Sequence, residues 1–484
     1  MEVLFESRSD ILRTWGKLYF RQARPEILPE PVLVGDTPTD VGGVELYGTV
    51  LREGGIYRMW YQSWPKGGAS GEDTILVAYA ESDDGLDWRK PRLGIFDFRG
   101  DGGNNNLINL GAHQPSVFID PDSPPSHRYR ATGCVLPWQY GALPGAEGVG
   151  YYTAHSADGL RWEPDTPEPT WRPTGDNICS IYHPGQRRGI AIMKFAPRVL
   201  GFQRRSHREA ELRNGVWSDS RIALVPDEFA DVSARGRGYA SEDYYGLTML
   251  PAGSGTVGFL WHLRHDLPRT PETEYGLFGS VDTSLVFQEA PGTPWLHVAG
   301  RPDFITHGAP DWMGGSAYTS SCPVEVGDEH WLYFCGDSFT HGWSMDSRWH
   351  TLEHRERQFL EHGMRVGIVR WPKFRLFGFR GDAEGGLALD LGEVTVPSQL
   401  ALNYNTTFDG HVRVKLAADD RGKETDIDGR GETDAVPLTG ESVAGIAAWK
   451  GGTVIEPVPG KHIHAHLMLE SATVYAYELR PLEK

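Results

Sequence analysis

The sequence is short of the features that identify several large protein classes. It has four cysteines in 484 residues, Cys134, Cys179, Cys322 and Cys335, and no CxxC pair. That argues against a disulfide framework or a thiolate metal site. The expectation is buried free thiols in a reducing compartment, although Cys322 and Cys335 flank a hairpin and could face each other. Positive charge is also in deficit: 47 Lys and Arg stand against 65 Asp and Glu, a net charge of −18, with no basic run. Neither phosphate backbones nor anionic lipid has a surface to bind, so nucleic acid and membrane partners are not expected. No stretch approaches the length of a membrane span. The opening MEVLFESRSDILRTWGKLYF carries Glu2, Glu6 and Asp10 and lacks the apolar run of a signal peptide, so a cytoplasmic location is expected. HExxH, GxSxG, Walker and dinucleotide fingerprints are absent, and residues 426–435 (DIDGRGETDA) lack the spacing of an EF-hand. The 18 histidines, His262, His265 and His307 among them, show no ligand spacing. No cofactor or metal is expected.

What is present is a degenerate repeat. A hydrophobic fraction of 39% and a charged fraction of 23% suit a folded protein too long for one ordinary core. Aromatic-rich strands follow turns at 56–61, 127–132, 189–193, 256–261 and 330–334. A second strand closes each copy at 74–80, 148–153, 199–203, 275–279 and 365–369, twice leading into S-x-D-G-L-x-W, at 82–88 and 156–162. Apolar alternation at period two reads as strand, and Asp-Gly supplies a turn that needs positive φ. Five such copies about 60–75 residues apart predict five propeller blades. Residues 351–363 predict one helix. Beyond about residue 385 shorter strands at 410–416, 443–449 and 473–478 predict a β-sandwich. The expected fold is therefore all-β: an N-terminal extension over 1–30, a five-bladed β-propeller over 31–384 and a C-terminal β-sandwich over 385–484.

A propeller gathers the starts of its inner strands around a central tunnel, and concave mouths favour ligands. The polar residues expected there are Asp40 and Glu45, His113 and Gln114, Asp176 and Asn177, Glu242 and Asp243, and Asp311. Four of the five copies thus begin with a carboxylate. Paired carboxylates are what glycosidic bond cleavage requires, one protonated as acid and one acting as base or nucleophile. Trp60, Trp64, Trp138, Tyr140, Trp261, Trp312 and Trp343 near blade ends could stack on sugar faces, and His341 lies in a late loop.

These pieces together resemble the five-bladed propeller glycoside hydrolases of families 32, 43 and 68, especially uncharacterised bacterial family-32-type relatives. The matching residues are Pro31-Val-Leu33 before Asp40, Tyr47-Gly48, Tyr57-Arg-Met-Trp-Tyr61, the two S-x-D-G-L-x-W turns, Asn104-Asn-Asn106, Asp243-Tyr-Tyr-Gly246 and Asp311-Trp-Met-Gly-Gly315, with Leu402-Asn403, Gly410, Val412-Arg-Val414 and Ala448-Trp-Lys-Gly451 like the accessory sandwich. The resemblance implies an exo-acting glycoside hydrolase on a small furanosidic oligosaccharide of fructose or arabinose. Asp40 best matches the family's blade-one acid, with Glu45 as rival. The second-blade Asp is not preserved, since Asp120 sits in an outer turn, and the third blade has Asp176-Asn177 where the family has Glu. Glu242 or Asp243 is then expected as general acid, and Asp311 as a further catalytic carboxylate. His113, Gln114, Asp176, Asn177, Trp312 and His341 are expected to bind substrate. The rival readings are a glycoside phosphorylase or transglycosylase, for which Arg204, Arg205 and His207 are the local cationic cluster, and a non-catalytic carbohydrate-binding propeller.

Overall fold

The computed structural model describes residues 1–65, 76–136, 143–172, 175–271, 276–343 and 363–482. The helix expected at 351–363, Trp138 and Tyr140 fall almost wholly or wholly outside them. The chain is nearly all β, with strands making up 55% of it, and the one α-helix among the described residues is Glu228–Gly236.

Five antiparallel units follow one another. The first is Gly43–Glu53, Ile56–Trp64 and Leu76–Ser82; the second is His113–Ile119, Tyr129–Val135, Gly150–Ser156 and Glu163–Pro164. The third runs Ile178–His183, Arg188–Phe195 and Ser206–Arg213, edged by Val216–Trp217 and Arg221–Leu224. The fourth is built on Ser241–Ala252, Gly255–His265 and Gly279–Gln288. The fifth is Ser316–Thr319, Glu329–Asp337 and Arg365–Pro372, completed by Glu26–Ile27 from the start of the chain. Among the described residues, units four and five are joined in one sheet by the parallel contact of Val281 with Ser316, beside a bridge between Gly279 and His341.

All five aromatic-rich strands lie where the repeat puts them, but two closing strands do not. Residues 199–203 fall in a small separate hairpin, and the strand is Ser206–Arg213. In the fourth unit the strand begins at Gly279, where the expected one ends. The cysteines are free, so Cys322 and Cys335 do not pair, and the Cys335 thiol lies 3.7 Å from the Val44 carbonyl.

The two S-x-D-G-L-x-W turns have the same internal bonds. Gly85 N donates to Ser82 Oγ at 2.9 Å and Leu86 N to Asp84 Oδ1 at 2.8 Å; Gly159 N and Leu160 N repeat both distances on Ser156 and Asp158. Both glycines have positive φ, +80° and +78°. Each turn also latches a neighbouring unit: the Gly85 carbonyl accepts Tyr333 OH at 2.9 Å, and that of Gly159 accepts Trp60 Nε1 at 2.7 Å. A Cβ at either glycine would crowd that same aromatic, at 2.5 Å from Tyr333 OH and 2.9 Å from the Trp60 ring.

The first strands of the units are tied to one another by hydroxyls. Ser116 Oγ bonds Ser321 Oγ at 2.6 Å and donates to the Ser180 carbonyl at 2.9 Å. Thr49 Oγ1 bonds Ser321 Oγ at 2.8 Å, and Thr248 Oγ1 bonds Thr319 Oγ1 at 2.6 Å. Ser116 and Ser321 belong to units two and five, so their direct bond joins two units that share no sheet.

The C-terminal sheet includes the N-terminus. Its strands are Phe377–Glu393, Ser398–Asp420, Lys423–Asp426, Glu441–Ile446 and His462–Pro481, joined by Glu2–Val3 and Ile11–Gln22. The long strands shift register between Thr406 and His411 and between Gly381 and Gly385. Residues on both sides of these bulges, Leu400, Leu402, Val412, Val414 and Leu416 among them, enter one buried cluster, so the sheet folds over a single core.

On that sheet His462, His464 and His466 alternate along one strand and share a face. Asp390 lies 2.9 Å from His462 Nδ1; Glu424 is 2.8 Å from His464 Nδ1 and 3.1 Å from His466 Nε2, with Arg13 3.9 Å away. The bond to Asp390 raises His462, while burial lowers His466. Against the opposing effect of burial, the imidazoles hold Asp390 and Glu424 below their ordinary values. The carboxylate contribution is present above their unfolded values near pH 4 and lost as pH falls; that of His462 is present below about pH 6.5 and lost as pH rises through its raised value. Glu424→Gln should therefore reduce the loss of thermal stability on acidification below about pH 4.5. Melting curves across that range that superpose on those of the unsubstituted protein would rule the ladder out as a contributor.

Candidate active site

In an antiparallel hairpin the start of the first strand lies beside the end of the second. Glu45 is therefore opposite Gln62, His113 opposite Cys134, Glu242 opposite Arg264 and Ser316 opposite Asp337. The same end of each of these units thus receives residues from both of its first two strands, and that end is called the mouth below.

Two carboxyls there are buried together. Glu45 Oε2 accepts from Gln62 Nε2 at 2.8 Å and Trp64 Nε1 at 3.0 Å. Burial, with Asp337 and Asp176 nearby, pushes Glu45 up to about 8 despite these donors. Asp337 accepts from Phe339 N at 2.9 Å and also bonds the Trp343 side chain; burial pushes it up to about 7. A carboxyl out of water pays the full cost of its charge, so the neutral acid persists near neutral pH.

Asp176 is in the opposite state. Its side chain is 40% exposed and pairs with the buried Lys194 ammonium. Burial would raise it, but Lys194, His113 and Arg205 hold it well below the usual carboxylate range. The Lys194 ammonium also stands 3.9 Å from the centre of the Tyr245 ring. Burial pushes His113 down to about 4, leaving a neutral imidazole whose Nδ1 has no hydrogen-bond partner among the described residues. Both side-chain amide atoms of Asn177 are likewise buried without a partner among them. The floor is aromatic: Tyr47, Tyr245 and Tyr318 sit two residues further along the inner strands, with ring centres 5.1 Å apart for Tyr47 and Tyr318 and 6.1 Å for Tyr245 and Tyr318.

The other sequence candidates are placed elsewhere or are engaged in structure. Asp40 Oδ1 accepts from Asp36 N, Thr37 N and Thr37 Oγ1 at 3.0, 2.8 and 2.7 Å, and Oδ2 meets Tyr61 OH at 3.1 Å and Lys90 Nζ at 2.6 Å. Every lone pair is spent on pinning the loop. Glu242 faces His262 and Arg264 at 3.0 and 3.4 Å, which hold it low although burial would raise it. Asp243 is the hub for Arg204, Arg205, His265 and Arg269 at 3.4, 2.9, 3.2 and 2.5 Å, which outweigh burial and hold it far below the carboxylate range. Neither has a proton to give near neutral pH. Asp311 is exposed at the start of the short turn Asp311–Met313.

Gln114, at φ +53°, spans three units: its N–H donates to Gln62 Oε1, and its Oε1 accepts Ile178 N at 3.0 Å. Trp312 stacks on Phe334 and donates to the Pro29 carbonyl at 2.8 Å, so it is a wedge. His341 bonds the Leu277 carbonyl and Tyr245 OH at 2.5 and 3.1 Å. Trp60 and Trp261 are fully buried, whereas Trp64 and Trp343 meet the two raised carboxyls. The cationic cluster is neutralised, with Arg204 also paired to Asp231 at 2.8 Å. No group of three His, Cys, Asp or Glu side chains among the described residues is arranged to hold a metal ion.

Asp337 and Lys194 were not among the sequence candidates. The available signal was the end of each second strand, where Phe334-Cys-Gly-Asp337 and Met193-Lys194 run out at the same mouth as the first-strand starts.

No protein-family model matches the chain, and no curated protein does. Among solved structures it is similar to a thermostable family-43 glycoside hydrolase, with 13% identity, a TM-score of 0.44, and 70% of this chain and 93% of that one covered. A Bombyx mori GH32 β-fructofuranosidase gives 10% identity and a TM-score of 0.39, covering 94% of this chain and 95% of its own. A structure from the GH130 family, described as mannoside phosphorylases that contain glycoside hydrolases acting on β-1,2 mannosidic linkages, gives 12% and 0.42 with 75% and 96% covered. At TM-scores under 0.5 these likenesses assign no residue and no activity to this chain. The solved structures it is similar to are glycoside hydrolases of the family-43, family-32 and family-130 types.

Proposed function

We propose that the chain is a glycoside hydrolase on a five-bladed β-propeller with a C-terminal β-sandwich. The observation that carries this reading is the buried pair Glu45 and Asp337, raised to about 8 and about 7, beside an ionised Asp176 at the same mouth. Carboxyls pushed apart in this way divide the work of glycosidic cleavage. The protonated member of the pair gives its proton to the glycosidic oxygen as the bond to the anomeric carbon breaks. Asp176 stabilises the developing positive charge, as nucleophile or as base toward water. Water supplies the hydroxyl at the anomeric carbon, and its proton restores the acid. Carboxyl separations of about 5–5.5 Å would make the reaction retaining, and about 6.5–9.5 Å inverting.

On the proposed propeller, hydroxyl bonds such as that of Ser116 to Ser321 would close the centre and leave the mouth open at one end, which suits exo-action on a small oligosaccharide. Fructo- or arabinofuranosides are the first substrates to try, on the sequence resemblance alone. The phosphorylase reading loses support because Arg204 and Arg205 are committed to carboxylates. Release of reducing sugar from fructo- and arabino-oligosaccharides tests the proposal, and no hydrolysis across a broad glycoside panel would reject it.

The pH dependence follows from the same groups. Asp176 stays ionised through the acid range, so kcat/KM should hold level there and fall above about pH 7–8 as the pair loses its proton. Both folded values lie above the unfolded ones near 4. The pair's contribution to stability is therefore complete below pH 4 and declines as pH rises through 7 and 8. A kcat/KM that climbs through pH 8 would exclude the pair as proton donor.

A further inference from the structure

Between units two and three, at the mouth end, lies a cavity of about 260 Å³. That is just below the roughly 300 Å³ at which pockets for drug-sized ligands begin, and it suits one sugar ring. Three aromatic side chains wall it. Tyr151 OH lies 2.8 Å from the Lys194 carbonyl and 3.1 Å from the Asn177 carbonyl, so this wall is bonded to backbone that carries the mouth. Trp171 meets Tyr151 in a β-bridge, and its Nε1 donates to the Ser218 carbonyl at 3.1 Å, which fixes the indole. Phe195 ends the second strand of unit three, one residue after Lys194, whose ammonium pairs with Asp176. The cavity and the proposed site thus share Lys194.

The charge of this cavity is unlike that of the whole chain. In a protein of net charge −18, no Asp or Glu among the described residues lines it, while Arg172 and Arg208 do. Both are exposed, and neither makes an ion pair among the described residues. Exposed arginines elsewhere in unit three do find carboxylates: Arg187 meets Asp122 at 3.0 Å, Arg213 meets Glu211 at 3.2 Å and Arg221 meets Glu209 at 2.8 Å. The Arg208 guanidinium stands 4.7 Å from the centre of the Phe195 ring, which orients it on the aromatic wall.

We infer that this cavity is a subsite for an acidic sugar, a uronate residue of the oligosaccharide held at the mouth. This rests on the glycosidase reading above. Planar guanidiniums match the two oxygens of a carboxylate, and the aromatic walls suit the apolar face of a sugar ring. The aromatic walls alone would serve a neutral sugar equally well. The two arginines without carboxylate partners decide for the acid.

Calorimetric titration with a panel of oligouronates, with the same oligosaccharides after reduction of their carboxyls to alcohols, and with inorganic phosphate tests this, alongside turnover of both sugar sets. The best oligouronate should bind at least about tenfold tighter than its reduced form, with an advantage that shrinks with salt. Arg172→Gln and Arg208→Gln, both at exposed positions, should each bring its affinity down toward that of the reduced form. No binding of any oligouronate, equal affinity for the two forms, or an advantage that survives both substitutions overturns the subsite. Phosphate binding as tightly as the oligouronate overturns the sugar part of it. If reduced oligosaccharides are bound and cleaved as well as acidic ones, the subsite alone fails. If oligouronates bind with an arginine-dependent advantage and no glycoside is cleaved, the subsite stands and the glycosidase reading fails.

Discussion

Glu45→Gln should reduce turnover by roughly 10²–10⁴-fold, the usual loss when a general acid is removed. The amide oxygen can still accept from Gln62 Nε2 and Trp64 Nε1, so the site keeps its shape and loses only the proton. Asp337→Asn should cut deeply too, and the double variant should lose much less than the product of the two, because the pair acts as a unit. Substrate affinity should barely move, placing the loss in kcat. The measurement is kcat and KM on the best glycoside, with circular dichroism to establish the fold. Full activity in Glu45→Gln would remove Glu45 from the chemistry.

Asp243→Asn should instead cost stability, about 3–5 kcal/mol, the range for breaking a buried ion pair from one side. The carboxylate is wholly buried and faces Arg204, Arg205, Arg269 and His265 from both oxygens. An amide leaves the arginines desolvated without compensation and turns N–H donors toward cations. The urea midpoint should fall sharply, while the fraction that remains folded keeps its kcat on saturating substrate. A variant of unchanged stability with abolished turnover would reverse the assignment and make Asp243 a catalytic carboxylate.

How far the sequence could be read follows from the range of the interactions. The strand at Ile56–Trp64 and the two Ser-x-Asp-Gly turns are local features, and they were legible. The third and fourth closing strands were not, because residues 199–203 alternate well enough to form a hairpin of their own. The mouth was half legible. Glu45 stood in the candidate set, but nothing local separates it from Asp40, whose partners Tyr61 and Lys90 come from other strands and loops. Glu242 and Asp243 are adjacent in a strand and so point to opposite sides, each toward arginines that only the fold brings near. Asp337 was overlooked because a search along strand starts cannot see the far end of the hairpin that returns to the same place.

The hydroxyl bonds between units, Ser116 to Ser321 above all, bear on traffic as well as on packing. A propeller plugged at its centre, as proposed above, would have one door. Whatever arrived at Glu45 and Asp337 would have to back out the way it came, so a long glycan could not be threaded and trimmed in a continuous run. Each cut would end in release, product would clear before the next chain end docked, and accumulated product would compete with fresh substrate for the same opening. Catalysis at the proposed site would be distributive by construction.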